Sequence, residues 1–168
     1  MKLLYICEAN LFRSPIAVIL TRKKTKGTNL RVDSAGLCID DSLEPTSFLF
    51  TALRRLGYSG HRSIPKEISV DLLKKQDLIL CMERSQVNEV INLAPEIKNK
   101  VYTLPEYAGF PNEEVVDPAE LVYEYDPREA APDFCISTRE EEKKAIEFWI
   151  TIIKGIEKYV DLAIQRMK

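Results

Sequence analysis

Near the start of the chain, Cys7 is followed by Glu8-Ala9-Asn10-Leu11-Phe12 and then by Arg13-Ser14-Pro15. A cysteine, five residues, an arginine and a serine are the parts of an oxyanion trap. A loop of this length, curling from a strand into a helix, turns successive backbone amides inward, and the helix that follows adds the positive end of its dipole. A tetrahedral dianion fits such a nest. Arg13 closes it with a planar, two-pronged contact to oxygen atoms that lysine cannot reproduce. The same positive field favours a thiolate at Cys7, and Ser14 can donate a hydrogen bond to it. Anion site and nucleophile therefore coincide. A bare Cys-x5-Arg also arises by chance, and a cysteine ending a buried strand is commonly core. Its place directly after the first strand, with Arg-Ser-Pro opening a helix, sets this one apart.

The elements that must position this loop are legible as short apolar runs alternating with helical patterns. Leu3 to Cys7, Leu30 to Val32, Leu78 to Met82 and Val101 to Leu104 read as strands. Ser14-Pro15 opens a helix that runs to about Gly27, because proline in the first turn gives up an amide that had no partner. Asp33-Ser34-Ala35-Gly36 reads as a turn. Further helices are expected around Ser47 to Leu56, stopped by Gly57, around Val70 to Lys75, and from Ser85 to Ala94, ended by Pro95. Residues 105–137 are proline-rich without periodicity and read as a long ordered loop of the functional kind. From Thr138, a capping box with Glu141 introduces a helix whose stripe is Ala145, Trp149, Ile152, Ile156, Tyr159, Ala163 and Met167. Strands alternating with helices predict an α/β fold with a parallel sheet covered on both faces, its ligands beyond the C-terminal strand ends.

Length and composition narrow the field. The chain has 168 residues, 45% hydrophobic and 30% charged, which suits a single domain over 1–168. Its 24 basic and 26 acidic residues nearly cancel, so no global field recruits nucleic acid or an anionic membrane. No apolar run reaches the roughly 20 residues that span a bilayer, and MKLLYICEAN turns polar too early for a signal peptide, so a cytoplasmic protein is expected. The four cysteines, at 7, 38, 81 and 135, include no CxxC pair, and there is one histidine. No metal and no cofactor are expected. Catalysis would rest on cysteine, carboxylates and arginine.

With these residues in view, the sequence resembles the low-molecular-weight protein tyrosine phosphatases. That family's loop, Cys-x2-Asn-x-Cys-Arg-Ser-Pro, is matched by Cys7, Asn10, Arg13, Ser14 and Pro15. Asp33 to Gly36, His61-Arg62-Ser63, Asp77 to Met82, Leu104 to Gly109 and Asp117-Pro118 follow in register. The resemblance implies a four-stranded parallel sheet flanked by helices, and metal-independent hydrolysis of a phosphomonoester through a cysteinyl-phosphate. In that scheme Cys7 is the nucleophile, Arg13 binds the phosphoryl group and Asp117 is the general acid. Glu8, Ala9, Asn10, Leu11, Phe12 and Ser14 form the phosphate-binding loop. Asn10 is a structural residue held by Ser34 and His61, and Glu83 takes the place of an aspartate that faces the arginine. The roles make chemical sense unaided: thiolate attack needs no base, whereas the departing oxygen needs a proton.

The departures from the family pattern gather around the substrate. Phe12 replaces the second loop cysteine and with it a local disulfide partner for Cys7. Cys38, Cys81 and Cys135 are read as core or incidental. Glu8 places an acid beside the nucleophile, which opposes dianion binding unless it points away or the substrate carries a compensating cation. Ala119 and Glu120 stand where many relatives have an aromatic wall after Asp-Pro, a gap that Tyr123 or Tyr125 would have to fill. A second Asp-Pro at Asp126 competes for the acid's role, but Asp117, ten residues after Tyr107, keeps the family interval. The extra residues are placed after it. The expected partner is a phosphorylated protein or a small phosphomonoester, foremost phosphotyrosine or an aryl phosphate. Phosphoarginine hydrolysis, an arsenate reductase and a phosphate-binding module without turnover are the alternatives. The arsenate reading lacks a relay pair, since no cysteine lies between Cys81 and Cys135. Oligomeric state is not legible.

Overall fold

The computed structural model describes residues 1–40, 42–60, 64–121 and 138–167. Within them run the strands β1 (Lys2–Cys7), β2 (Arg31–Gly36), β3 (Leu78–Cys81) and β4 (Val101–Thr103). The helices are α1 (Arg13–Lys24), α2 (Ser47–Arg55), α3 (Val70–Lys74), α4 (Arg84–Leu93), α5 (Leu104–Tyr107), α6 (Pro118–Leu121) and α7 (Arg139–Arg166). The strands form one parallel sheet in the order β2-β1-β3-β4. Leu3 to Ile6 and all of β3 are buried, as a parallel sheet covered on both faces requires. Alternation along β1 divides the core. Leu3, Tyr5 and Cys7 join the cluster containing Ile16 and Leu20 of α1, Leu53 of α2 and Trp149 of α7. Leu4 and Ile6 join Leu73, Ile79, Val87 and Val90 on the other side.

The strand order also fixes where a ligand can sit. β1 has β2 on one side and β3 on the other, so the chain leaves the sheet centre in opposite directions and opens a crevice beyond the C-terminal ends of β1 and β3. Cys7 ends the first of these strands, and Met82-Glu83 follows the second.

Several boundaries differ from the sequence reading. Ser34-Ala35-Gly36 is no turn: β2 continues through it, paired from Lys2↔Arg31 to Cys7↔Gly36, because small residues suit a strand end that another backbone approaches closely. α1 begins at Arg13 and stops at Lys24, three residues before the left-handed Gly27. α4 begins at Arg84, and Pro95 starts a 3-10 turn, Pro95–Lys100, instead of merely closing the helix. The segment read as loop from 105 holds two four-residue helices, α5 and α6. The rest of that loop, with Tyr123, Tyr125, Asp126 and Cys135, lies outside the described residues. At α7 the capping box is present, with Glu141 N donating to Thr138 Oγ1 and Thr138 N to Glu141 Oε2. Ala145, Trp149, Ile156 and Ala163 are buried there as the stripe predicts. No helix among the described residues is long and apolar enough to cross a membrane.

Candidate active site

The loop between β1 and α1 is held down by its neighbours. Leu37 N donates to Cys7 O at 3.2 Å and Cys38 N to Glu8 O at 3.1 Å, extending the β1–β2 ladder past the strands. Gly36 makes this approach possible: a Cβ there would lie 2.6 Å from Glu8 O and 2.8 Å from Asn10 N. Asn10 turns the chain with a left-handed φ of 51°, a conformation that asparagine tolerates better than most residues. Its buried side chain bridges the loop: Oδ1 accepts from Lys66 N at 3.0 Å and Nδ2 donates to Ser14 Oγ at 2.9 Å. These are its partners among the described residues, in place of the expected Ser34. Ser34 is buried on β2 with its amide bonded to Asp33, and His61 lies outside the described residues.

This bridge leaves Ser14 a proton to give in the next contact. Ser14 Oγ already accepts from the Asn10 amide, so its own proton is free for Cys7 Sγ, 3.0 Å away. A hydroxyl placed there can serve the Cys7 sulfur as a hydrogen-bond donor. Both residues are buried, and α1 presents its N-terminus beside them.

Arg13 is the first residue of α1 and is almost wholly buried, at 3% exposure. A guanidinium so placed must have its donors satisfied. Nη1 bonds to Glu83 Oε1 and also donates to Val115 O at 3.0 Å, and Nη2 bonds to Asp117 Oδ2. Glu83 precedes α4 at the end of β3, on the far side of the crevice. Asp117 precedes α6, where its Oδ1 accepts from Ala119 N at 2.9 Å. An Asp-Pro pair suits such a helix start, with the carboxylate capping and proline in the first turn. Cys7, Ser14, Arg13, Glu83 and Asp117 are thus linked through three separate connections of the sheet.

The remaining loop residues shape the surroundings. Leu11 is buried and lines an apolar pocket with Pro15, Leu49 and Leu53. Phe12 lies against Trp149 of α7, ring centroids 5.1 Å apart, so the position of the missing cysteine is a packing contact. Ala9 is half-buried, and Glu8 is exposed, which leaves its charge to solvent screening. Of the other described cysteines, Cys38 is exposed and Cys81 buried. Burial pushes the Cys81 thiol up, with the nearby Cys7 adding to the effect, and Cys81 packs with Ile6 on the sheet face opposite Cys7. It is an inert core thiol.

A model of the low molecular weight phosphotyrosine protein phosphatase family matches residues 2–151. The chain belongs to this family. It is similar to the low molecular weight protein-tyrosine-phosphatase Wzb of Escherichia coli strain K12, 34% identical over 101 residues, which are 59% of this chain and 66% of Wzb. The match thus spans just under two thirds of that relative. It is also similar to the protein-arginine-phosphatase of Bacillus subtilis strain 168, 28% identical over 121 residues, 70% of this chain and 79% of the relative. Two solved structures share the fold: a YwlE mutant from Bacillus subtilis, with TM-score 0.76, 21% identity and coverage of 100% and 99% of the two chains, and the low molecular weight protein tyrosine phosphatase from T. tengcongensis, with TM-score 0.76, 23% identity and 98% of each chain.

Three parts of this phosphatase-family site escaped the sequence reading. The Val115 carbonyl and the Lys66 amide are backbone groups without a residue signature. Gln86 had one: it stands three residues after Glu83, the spacing of a capping box, and starting the helix at Ser85 concealed it.

Proposed function

We propose that this protein hydrolyses phosphomonoesters without a metal, through a cysteinyl-phosphate, acting on phosphotyrosine in proteins or on small aryl phosphates. The observation that carries the reading is the convergence of a hydroxyl-supported Cys7, the helix-opening Arg13 and the Asp117 carboxylate on one crevice. The Cys7 thiolate attacks phosphorus while the P–O bond to the leaving group breaks, and that oxygen takes the proton of the Asp117 carboxyl. Arg13 and the amides of residues 8–14 receive the charge on the equatorial oxygens. In the second half, the Asp117 carboxylate removes a proton from water, whose oxygen displaces Cys7 and releases orthophosphate. A cytoplasmic location accords with the reduced thiol this chemistry needs. Turnover of p-nitrophenyl phosphate should persist in EDTA and vanish in Cys7→Ser, while Cys7→Ser still binds vanadate. Activity lost on chelation, or retained near the wild-type rate in Cys7→Ser, rules the mechanism out.

A second reading, hydrolysis of phosphoarginine, is favoured by the exposed Glu8 next to the nucleophile, a charge suited to a cationic substrate. The similarity to the protein-arginine-phosphatase of Bacillus subtilis supports it as well. Comparing kcat/KM for phosphotyrosyl and phosphoarginyl forms of one peptide decides between the two.

A further inference from the structure

Gln86 is a buried amide that the proposed chemistry leaves without a part. It lies in the first turn of α4 and is 1% exposed. Its Oε1 accepts from Met82 N at 3.0 Å and from Glu83 N at 3.3 Å. Its Nε2 donates to Glu83 Oε1 at 3.2 Å, the oxygen that also receives Arg13 Nη1. The first pair of bonds fixes the amide plane against the end of β3. Once the oxygen is committed, the NH2 has one direction left, and Glu83 occupies it.

We propose that Gln86 is a positioning residue for phosphoryl transfer: through its Nε2 bond to Glu83 Oε1 it holds that carboxylate, and the carboxylate holds the guanidinium plane of Arg13. The inference rests on the reading of Arg13 as the phosphoryl ligand. A free glutamate side chain has several rotamers, and each would place its oxygens differently against Arg13. Two-pronged contact to equatorial oxygens depends on that plane, and a displacement of about 1 Å in such a contact costs on the order of a hundredfold in rate. The competing account is that Gln86 only secures the start of α4. Both accounts predict lower stability when Gln86 is replaced, but only positioning makes the kinetic effect depend on Glu83.

The test uses p-nitrophenyl phosphate with Gln86→Met, Glu83→Ala, the double variant and Gln86→Glu, with thermal unfolding of each. In the wild-type background Gln86→Met should lower kcat about tenfold and change KM less than about threefold, whereas in the Glu83→Ala background it should lower kcat less than about twofold. Gln86→Glu keeps both acceptor bonds to the strand end but turns an oxygen toward Glu83. Its loss relative to wild type should shrink as pH falls from 7 to 5, when one of the two facing carboxyls takes up a proton and donates as the amide did. Equal kcat losses in the two backgrounds, or a Gln86→Glu loss that does not vary with pH, overturns the proposal. Should Gln86→Met not fold, the pH profile of Gln86→Glu decides alone. Wild-type kcat in Arg13→Lys would overturn the reading of the site itself, a failure distinct from additivity at Gln86.

Discussion

Two helix starts present a carboxylate to the same arginine, and they are built differently. Glu83 opens the ten-residue α4, and a buried glutamine amide grips its side chain from behind. Asp117 opens the four-residue α6, and among the described residues its second oxygen is held by the amide of Ala119, two residues on. The two side chains differ little in exposure, 22% against 28%, so the contrast lies in what restrains them rather than in solvent access. A carboxylate fixed to a long helix suits orientation of a cation. One whose held oxygen, among the described residues, meets a backbone amide two residues on suits proton transfer, which requires it to approach the leaving group and then water. On the proposed mechanism the same residue class divides into an orienting and a reacting member.

The strongest blow to this arrangement is removal of the group both carboxylates serve. Arg13→Lys keeps the charge but loses the planar fork, and kcat should fall by about a hundred- to a thousandfold. If steady-state kinetics instead show kcat unchanged and only KM raised, Arg13 merely attracts substrate, and the contrast between its partners loses its meaning. Asp117→Asn comes next. It should slow phenyl phosphate hydrolysis about a hundredfold and p-nitrophenyl phosphate less than about tenfold, because the nitrophenolate leaves without needing a proton. Asp126→Asn in the same assay is the discriminating companion, since leaving-group dependence there and not at Asp117 would move the acid. Glu83→Ala should cost about tenfold on both substrates alike, the mark of an orienting group that never exchanges a proton with the substrate. A leaving-group dependence in Glu83→Ala would erase the distinction between the two helix starts.

The smallest effect is expected far from the crevice, where it calibrates the others. Glu157 of α7 meets Lys24 and Tyr58. Burial there works against its charge, but the hydrogen bonds from Lys24 and Tyr58 prevail and hold its carboxyl below the usual range. A carboxyl depressed in the folded state contributes stability above its unfolded pKa and loses it as pH falls through the folded value. Glu157→Gln should therefore cost less than about 1 kcal/mol near neutral pH. The cost should fade on acidification while kcat stays unchanged, as thermal melts and assays at several pH values will show. A kinetic effect there would mean that the site responds to stability in general, and the graded losses at Asp117 and Glu83 could not be read as local.

What the sequence disclosed and what it hid have physical causes. β1, α2 and α7 follow from periodicity and from side chains whose burial has a single solution, and the Cys7-to-Pro15 loop could be read because its residue types carry the chemistry themselves. β2 was half missed because Ser34-Ala35-Gly36 has the composition of a turn. The paired β1 backbone and the approach of the loop after β1 determine its conformation, and neither is local. α5 and α6 are one turn each, too short for a period. Arg13, Glu83 as the carboxylate facing it, and Asp117 could be named from the resemblance, but the bonds of Asp117, 104 residues away, and of the Val115 carbonyl to the same guanidinium arise only through strand order.

The chain contains one tryptophan, and its ring lies against Phe12, a residue of the loop between Cys7 and Arg13 itself. Indole emission responds to the packing and polarity of its immediate surroundings, so a shift of the loop that moves Phe12 is read by a single indole once red-edge excitation leaves the seven tyrosines dark. The contact between Phe12 and Trp149 gives the protein a built-in optical gauge. Titration with vanadate or phosphate can be followed on the unlabelled wild-type chain and on variants too slow to assay by turnover.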